Sequence, residues 1–213
     1  MKTVNYLSPY HQPQKVTPSK VICIGRNYAK HIAELNNKNT GDMVVFIKPN
    51  SAIDELLYTH QIGCRYAIHY EAELCFMVEA GQFSAIGFGL DLTKRELQSE
   101  LKTKGLPWER AKAFDRSAVL GDFIPLTDEY SVADLSVELL INQQVRQKGT
   151  VKEMLFSPAV ILQDVKRFMS LEDGDIVMTG TPEGVGPVKQ GDEFVGRIYH
   201  HNEVLLEASW VAQ

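Results

Sequence analysis

Apolar residues along this chain fall in short runs separated by polar turns, and the spacing within each run predicts an element. KVICI (20–24) and VVFIK (44–48), the second stopped by Pro49, have the length and β-branched content of strands. HYEAELCFMVE (69–79) reads as a further strand, and AIGFGLDL (85–92) as a strand punctuated by glycine that leads into a helix. ELLINQQVRQKG (138–149) reads as strand, turn and strand; Asp173-Gly174 turns into DIVMTG; FVGRIYHHNEVLLEASW (194–210) closes as a hairpin. Helical spacing is confined to three segments. In YAKHIAEL, Tyr28, Ile32 and Leu35 form an apolar stripe with Asn27 as its expected cap, followed by a polar loop over 36–42. Thr93 and Glu96 have capping-box spacing for a second helix, with Leu97 and Leu101 on its buried face and Gly105 as its stop. Ser157-Pro158 opens a third, running to about Met169. Strands that outnumber irregularly placed helices predict an α+β, strand-rich fold rather than alternating βαβ units. No repeat or composition shift marks a linker, so one domain over 1–213 is expected, with 1–19 as a lead-in.

Composition narrows the function classes. The 213 residues are 44% hydrophobic and 23% charged, which suits an ordinary globular protein with a sizeable core. A net charge of −5, without Lys/Arg blocks longer than two, argues against nucleic acid as a partner. Cys23, Cys64 and Cys75 are an odd set without a CxxC, and Cys23 and Cys75 sit in apolar runs as reduced core residues. The start lacks a basic patch followed by an apolar stretch, and no run approaches the ~18 residues of a membrane span. A cytoplasmic protein without a membrane partner is expected.

Against that background two glutamates stand out. On a strand, Glu71 and Glu73 project to one face about 7 Å apart. The pair reads either as the solvated rim of an edge strand or as half of a cation site. Asp91, at a strand end, would add a third carboxylate; alone it reads more often as the acidic start of a helix. Three carboxylates suit a hard divalent cation, Mg²⁺ first, with Mn²⁺ or Ca²⁺ as alternatives. Arg95 and Gln98, three apart, share a helix face that is either solvated or able to grip a carboxylate or keto oxygen. Lys112 lies in ERAKAFDRSAVLG, where it either belongs, with Asp115, to a surface turn or stabilises negative charge on an enolate oxygen. His31 and Glu34 sit at i, i+3, so the carboxylate can orient the imidazole as a base toward water. His69 precedes the glutamates as a group behind the ligands, while His11, His60, His200 and His201 show no carboxylate arrangement. GxSxG is absent, and TPEGVGPV lacks the GK[ST] of a phosphate loop, so activated water is favoured over a covalent nucleophile.

GRNYAKHIAEL, FIKPNSAI, HYEAEL, GLDLTKRELQ, GLPWERAKAFD and GDIVMTGTPEGVGPV, in that order over roughly residues 20 to 190, resemble the successive motifs of the fumarylacetoacetate hydrolase family. The similarity is strongest to its short members, the acylpyruvases and oxaloacetate decarboxylases. The resemblance implies a mixed β-sandwich roll, usually a homodimer, with Glu71, Glu73 and Asp91 as Mg²⁺ ligands. It implies His31 with Glu34 as a water-activating pair on a lid of about 27–43, and Lys112 on a substrate oxygen. Arg95 and Gln98 would line the pocket, and Thr181 would bind the substrate carboxylate. Two departures count against fumarylacetoacetate itself as the substrate: VICIGRNYAKH lacks the upstream aspartate of the larger hydrolases, and their extra N-terminal domain is missing. The implied reaction is Mg²⁺-dependent C–C hydrolysis of an acylpyruvate, a 2,4-dioxo acid, through a pyruvate enolate. Oxaloacetate decarboxylation, oxaloacetate keto–enol tautomerisation and isomerisation of 2-hydroxyhepta-2,4-diene-1,7-dioate share that enolate. A silent 2-oxo acid-binding protein is the alternative of another class.

Overall fold

Strands far outnumber helices in this computed structural model, which describes residues 1–8, 12–35 and 41–213. In chain order they begin with β1 (Val4–Tyr6), β2 (Gln14–Val16), β3 (Lys20–Gly25), α1 (Ala29–Glu34), β4 (Val44–Pro49) and β5 (Ile53–Asp54). Next come β6 (Ile68–Tyr70), β7 (Ala72–Glu79), β8 (Gln82–Asp91), β9 (Thr93–Lys94), α2 (Arg95–Thr103) and α3 (Glu109–Lys112). The chain continues through β10 (Ala118–Pro125), β11 (Leu135–Ile141), β12 (Gln144–Thr150) and α4 (Pro158–Phe168). It ends with β13 (Ile176–Met178), β14 (Gly186–Pro187), β15 (Glu193–His200) and β16 (Glu203–Val211).

Nine strands form one mixed sheet in the order β2-β1-β10-β8-β7-β13-β3-β4, with β5 attached to β10. Pairing is parallel between β13 and β3 and antiparallel along β10, β8, β7 and β13. A four-stranded antiparallel sheet, β12-β11-β15-β16, packs on it, and β14-β6-β9 makes a small third sheet. This is the expected strand-rich α+β roll. Leu74, Phe76, Phe88 and Leu90 of the large sheet meet Val137, Leu139, Phe194 and Ile198 of the smaller one. Alternation divides β3 between two other cores: Val21 and Cys23 join Cys75, Phe123 and Met178, while Ile22 and Ile24 face Ile161 and Val165 of α4. The glycines of β8 permit close approach: a Cβ on Gly87 would fall 2.7 Å from the Phe123 ring, and one on Gly89 2.7 Å from Cys75 Sγ.

Several expected boundaries move for tertiary reasons. The strand over 69–79 is broken at Glu71, which lies between β6 and β7. Asn27 does not cap α1; its amide instead donates to Phe156 O (2.9 Å) and Thr179 O (2.8 Å), and its Oδ1 accepts from Phe156 N. Thr93 makes no capping box either, because residues 93–94 pair with β6 and the helix starts after Lys94. Gln98 and Leu101 form the buried face of α2, with Leu97 only partly covered. A fourth helix, the short α3, appears within ERAKAF. Ser157 does cap α4, accepting from Val160 N with Pro158 in the first turn, and Gly105 adopts the left-handed backbone (φ 64°) of a helix stop. Most of the 36–42 loop, and His11, lie outside the described residues. Among those described, no helix is long and apolar enough to cross a membrane.

Candidate active site

Strand register gathers the acidic groups. Asp91 N donates to Glu71 O at 2.8 Å, and Glu73 stands opposite Gly89, so the three carboxylates share a face at the end of β7 and β8. Their oxygens lie within 4.8 Å of one another, and none of the three residues is more than 5% exposed. The solvated-rim reading of Glu71 and Glu73 therefore fails: like charges this close in the interior need cations.

Three cations answer them. Lys112, delivered by α3, places Nζ 2.8 Å from Glu71 Oε2 and 2.7 Å from Asp91 Oδ2, with the Phe46 ring 5.0 Å away. Arg95 donates to Glu71 Oε1 and, at 2.8 Å, to Gln98 Oε1, so Arg95 reaches the cluster and Gln98 braces Arg95. Lys48, fully buried on β4, approaches Asp91 Oδ1 to 2.8 Å and donates to Leu92 O and Lys112 O. The Lys48–Asp91 contact lacks hydrogen-bond direction, so the enclosed Asp91 Oδ1 has no hydrogen bond among the described residues.

The environment separates Glu71 from Glu73. Burial pushes Glu71 up, but Lys112, Arg95 and His31 together hold it well below the usual carboxylate range. Burial also pushes Glu73 up, and here Asp91 and Glu71 add to the effect, outweighing the Gly180 N–H that donates to it at 2.6 Å. Burial lowers Lys112, yet Asp91 and Glu71 more than reverse this, so it remains an ammonium. Glu73 thus wants one more positive charge in order to ionise. That deficit, the orphaned Asp91 Oδ1 and an all-oxygen donor set fit a hard divalent cation held by Glu71, Glu73 and Asp91.

His31 is buried on α1, near enough to act on the charge of Glu71, with Nδ1 3.2 Å from Glu34 Oε2. The other oxygen of Glu34 accepts from Gly184 N (3.0 Å), which ties the helix to the TPEGVGPV turn. Thr181 lies behind the cluster: its hydroxyl donates to Ala72 O and accepts from Gln147 Nε2, both at 2.8 Å. Gripping a substrate carboxylate with that hydroxyl would require giving up the Ala72 bond. His69 is half-buried, and burial and Arg95 lower its pKa. Asp115 and His60 are exposed and outside the site.

Sequence reasoning missed Lys48 and Gln147. Gln147 is buried, accepts from Ala72 N (2.9 Å) and donates to Pro182 O (2.8 Å), bracing the strand between Glu71 and Glu73. The only signal for it was an amide at an inward position of a hairpin strand.

A strand-rich roll whose enclosed acidic trio can hold a metal ion, with a His–Glu pair beside it, defines the class. The chain belongs to the fumarylacetoacetate hydrolase family of enzymes: residues 20–207 match the model for the fumarylacetoacetate (FAA) hydrolase C-terminal region. It is 37% identical to oxaloacetate tautomerase YcgM of Escherichia coli (strain K12) over 188 residues, 82% of this chain and 86% of that protein. It is 36% identical to a mitochondrial oxaloacetate tautomerase of Homo sapiens over 197 residues, 84% of this chain and 86% of that protein. Among solved structures, fumarylpyruvate hydrolase from Pseudomonas aeruginosa, in complex with Mn²⁺ and pyruvate, superposes with a TM-score of 0.86 at 29% identity. That match covers 99% of this chain and 95% of that one.

Proposed function

We propose that this chain is a Mg²⁺-dependent oxaloacetate keto–enol tautomerase. The observation that carries the reading is the position of Lys112, whose ammonium bridges two carboxylates of the trio, with His31 near enough to act on the charge of one of them, Glu71. The names of the E. coli and human relatives support oxaloacetate as the substrate. Glu71, Glu73 and Asp91 would hold the metal, which when bound supplies a Lewis acid for the 2-oxo group of the substrate. The charges suit such a ligand: a divalent cation supplies the positive charge that Glu73 needs beyond Lys48, Lys112 and Arg95, and a dianionic 2-oxo acid offsets the cation's own charge.

In the keto-to-enol direction, His31 removes a proton from C3 through the ring nitrogen not held by Glu34. The C–H electron pair becomes the C2–C3 double bond, and the carbonyl pair moves onto the 2-oxygen. Lys112 stabilises the charge growing there, and the proton held by His31 neutralises it. Arg95 and Gln98 orient the acid groups. We extend the proposal to one domain over 1–213, a lid of about 27–43, of which 36–40 lie outside the described residues, a homodimer and a cytoplasmic setting. Mn²⁺, the ion of the Pseudomonas structure, could replace Mg²⁺, and Ca²⁺ is the other hard cation such a donor set accepts.

The second reading, C–C hydrolysis of an acylpyruvate, is favoured by that same structure, a fumarylpyruvate hydrolase. There His31 would deprotonate a water that attacks the distal carbonyl, and the bond breaks to a carboxylic acid and the enolate of pyruvate. One enzyme preparation separates the readings when loss of oxaloacetate enol is compared with pyruvate release from acetylpyruvate and fumarylpyruvate. Tautomerisation should dominate, and His31→Ala should lower it roughly 10²–10⁴-fold while Mg²⁺ binding persists. Faster acylpyruvate cleavage would replace the first reading by the second, and tight oxalate binding without any turnover would leave only a binding protein.

A further inference from the structure

A second group of potential ligands lies in the smaller sheet. Asp134, His200 and His201 each present a donor atom, and these atoms lie within 4.8 Å of one another. No carboxylate lies near His200 and His201 along the chain in a spacing that marks a site; Asp134 is 66 residues from His200, and strand pairing unites them. Leu135, the first residue of β11, stands opposite His200, the last of β15, so Asp134 arrives beside the turn that follows. His201 N donates to Asp134 O (3.3 Å) and fixes that junction. Neighbouring residues on a strand project to opposite faces. His201 escapes this rule with φ 55°, and its ring centroid comes 4.3 Å from that of His200. Tyr130 packs edge-on against His200 at 5.5 Å and restricts its ring.

We propose that Asp134, His200 and His201 form a second cation site, selective for a borderline d-block ion such as Zn²⁺, Ni²⁺ or Cu²⁺. Two imidazoles and one carboxylate suit these ions, whereas the all-oxygen trio at Glu71, Glu73 and Asp91 suits Mg²⁺. Imidazole–metal distances near 2.0–2.1 Å are within reach of small side-chain rotations for donors that already lie within 4.8 Å of one another. Lys152 now bonds Asp134 Oδ1 at 2.6 Å, so a cation already pairs with the carboxylate the site would use. Lys152 is 69% exposed, so its ammonium can swing into water when an ion arrives. Partial exposure of the cluster leaves further coordination positions to water.

The test uses the untagged chain with its acidic trio saturated by Mg²⁺, titrated with Cu²⁺ and read by electron paramagnetic resonance, with Zn²⁺ binding followed by dialysis. The expected result is one further equivalent whose copper spectrum shows nitrogen couplings from two imidazoles. His201→Asn keeps a residue that tolerates the left-handed backbone, and His200→Ala leaves the hairpin pairing in place. Each should weaken the site roughly tenfold or more, while tautomerase activity in Mg²⁺ stays at the parental level. No additional equivalent, a copper spectrum with oxygen ligands only, or undiminished binding by both variants would overturn the assignment.

Discussion

Replacing Lys112 by methionine keeps most of the side-chain volume and deletes a charge that is 3% exposed. The lost contacts are two charge-assisted hydrogen bonds, at 2.8 Å to Glu71 and 2.7 Å to Asp91. At about 1.5–3 kcal/mol each, they sum to roughly 3–6 kcal/mol, and breaking a buried ion pair generally costs about 3–5 kcal/mol. Glu71 keeps Arg95 and Asp91 keeps Lys48, which points to the lower end, about 3 kcal/mol. A divalent cation supplies the missing charge, so Mg²⁺ should stabilise Lys112→Met more than the parental chain. Turnover should not follow: without the ammonium at the developing enolate oxygen, kcat should fall about 10²–10³-fold even at saturating Mg²⁺. Urea unfolding in EDTA and in Mg²⁺, beside enol-oxaloacetate kinetics, measures both effects. A variant within about 0.5 kcal/mol of parental stability in EDTA, or one whose kcat recovers fully in Mg²⁺, refutes the reasoning.

Two further substitutions probe the frame around the site. Asp175 is buried and accepts from Ser19, Lys20 and Glu172; burial raises its pKa, but the Lys20 and Ser19 bonds more than offset this and hold it below the ordinary value. A depressed carboxyl stabilises the fold above its unfolded pKa of about 3.9 and loses that contribution as pH falls through the lower folded value. Asp175→Asn should therefore cost about 1–3 kcal/mol near neutral pH, with the gap narrowing below about pH 4; a gap independent of pH in chemical denaturation would contradict this. Gly87→Ala puts a Cβ 2.7 Å from the Phe123 ring and should destabilise by about 1–3 kcal/mol through overpacking, measured as a lower urea midpoint at unchanged slope. An unchanged midpoint would show that Phe123 can yield.

What the sequence could reveal depended on whether partners lie close along the chain. Glu71 and Glu73 were legible because two charges inside LCFMV-type surroundings conflict with burial, and His31 with Glu34 because i, i+3 spacing is local. Lys48 looked like the polar end of VVFIK; its partner Asp91 is 43 residues away and meets it only through the sheet order. Asn27 and Thr93 misled for the reverse reason. Each has a good local role as a cap, but Asn27 is claimed by Phe156 and Thr179, and Thr93 by its pairing with His69. Local propensity yields wherever a distant backbone offers an alternative bond. The family motifs bridged part of this gap, since their order carries long-range information that periodicity does not.

The central claim is that the carboxylates of Glu71, Glu73 and Asp91 hold the divalent ion on which turnover depends. Its most direct test is enol-oxaloacetate conversion by metal-stripped chain, before and after Mg²⁺ is restored, with Mn²⁺ binding measured on the same preparations and on Glu73→Gln. Activity should vanish on stripping and return with Mg²⁺, and Glu73→Gln should lose Mn²⁺ binding and turnover together. Full activity in the stripped chain, or a Glu73→Gln variant that binds Mn²⁺ and turns over at the parental rate, would contradict the account.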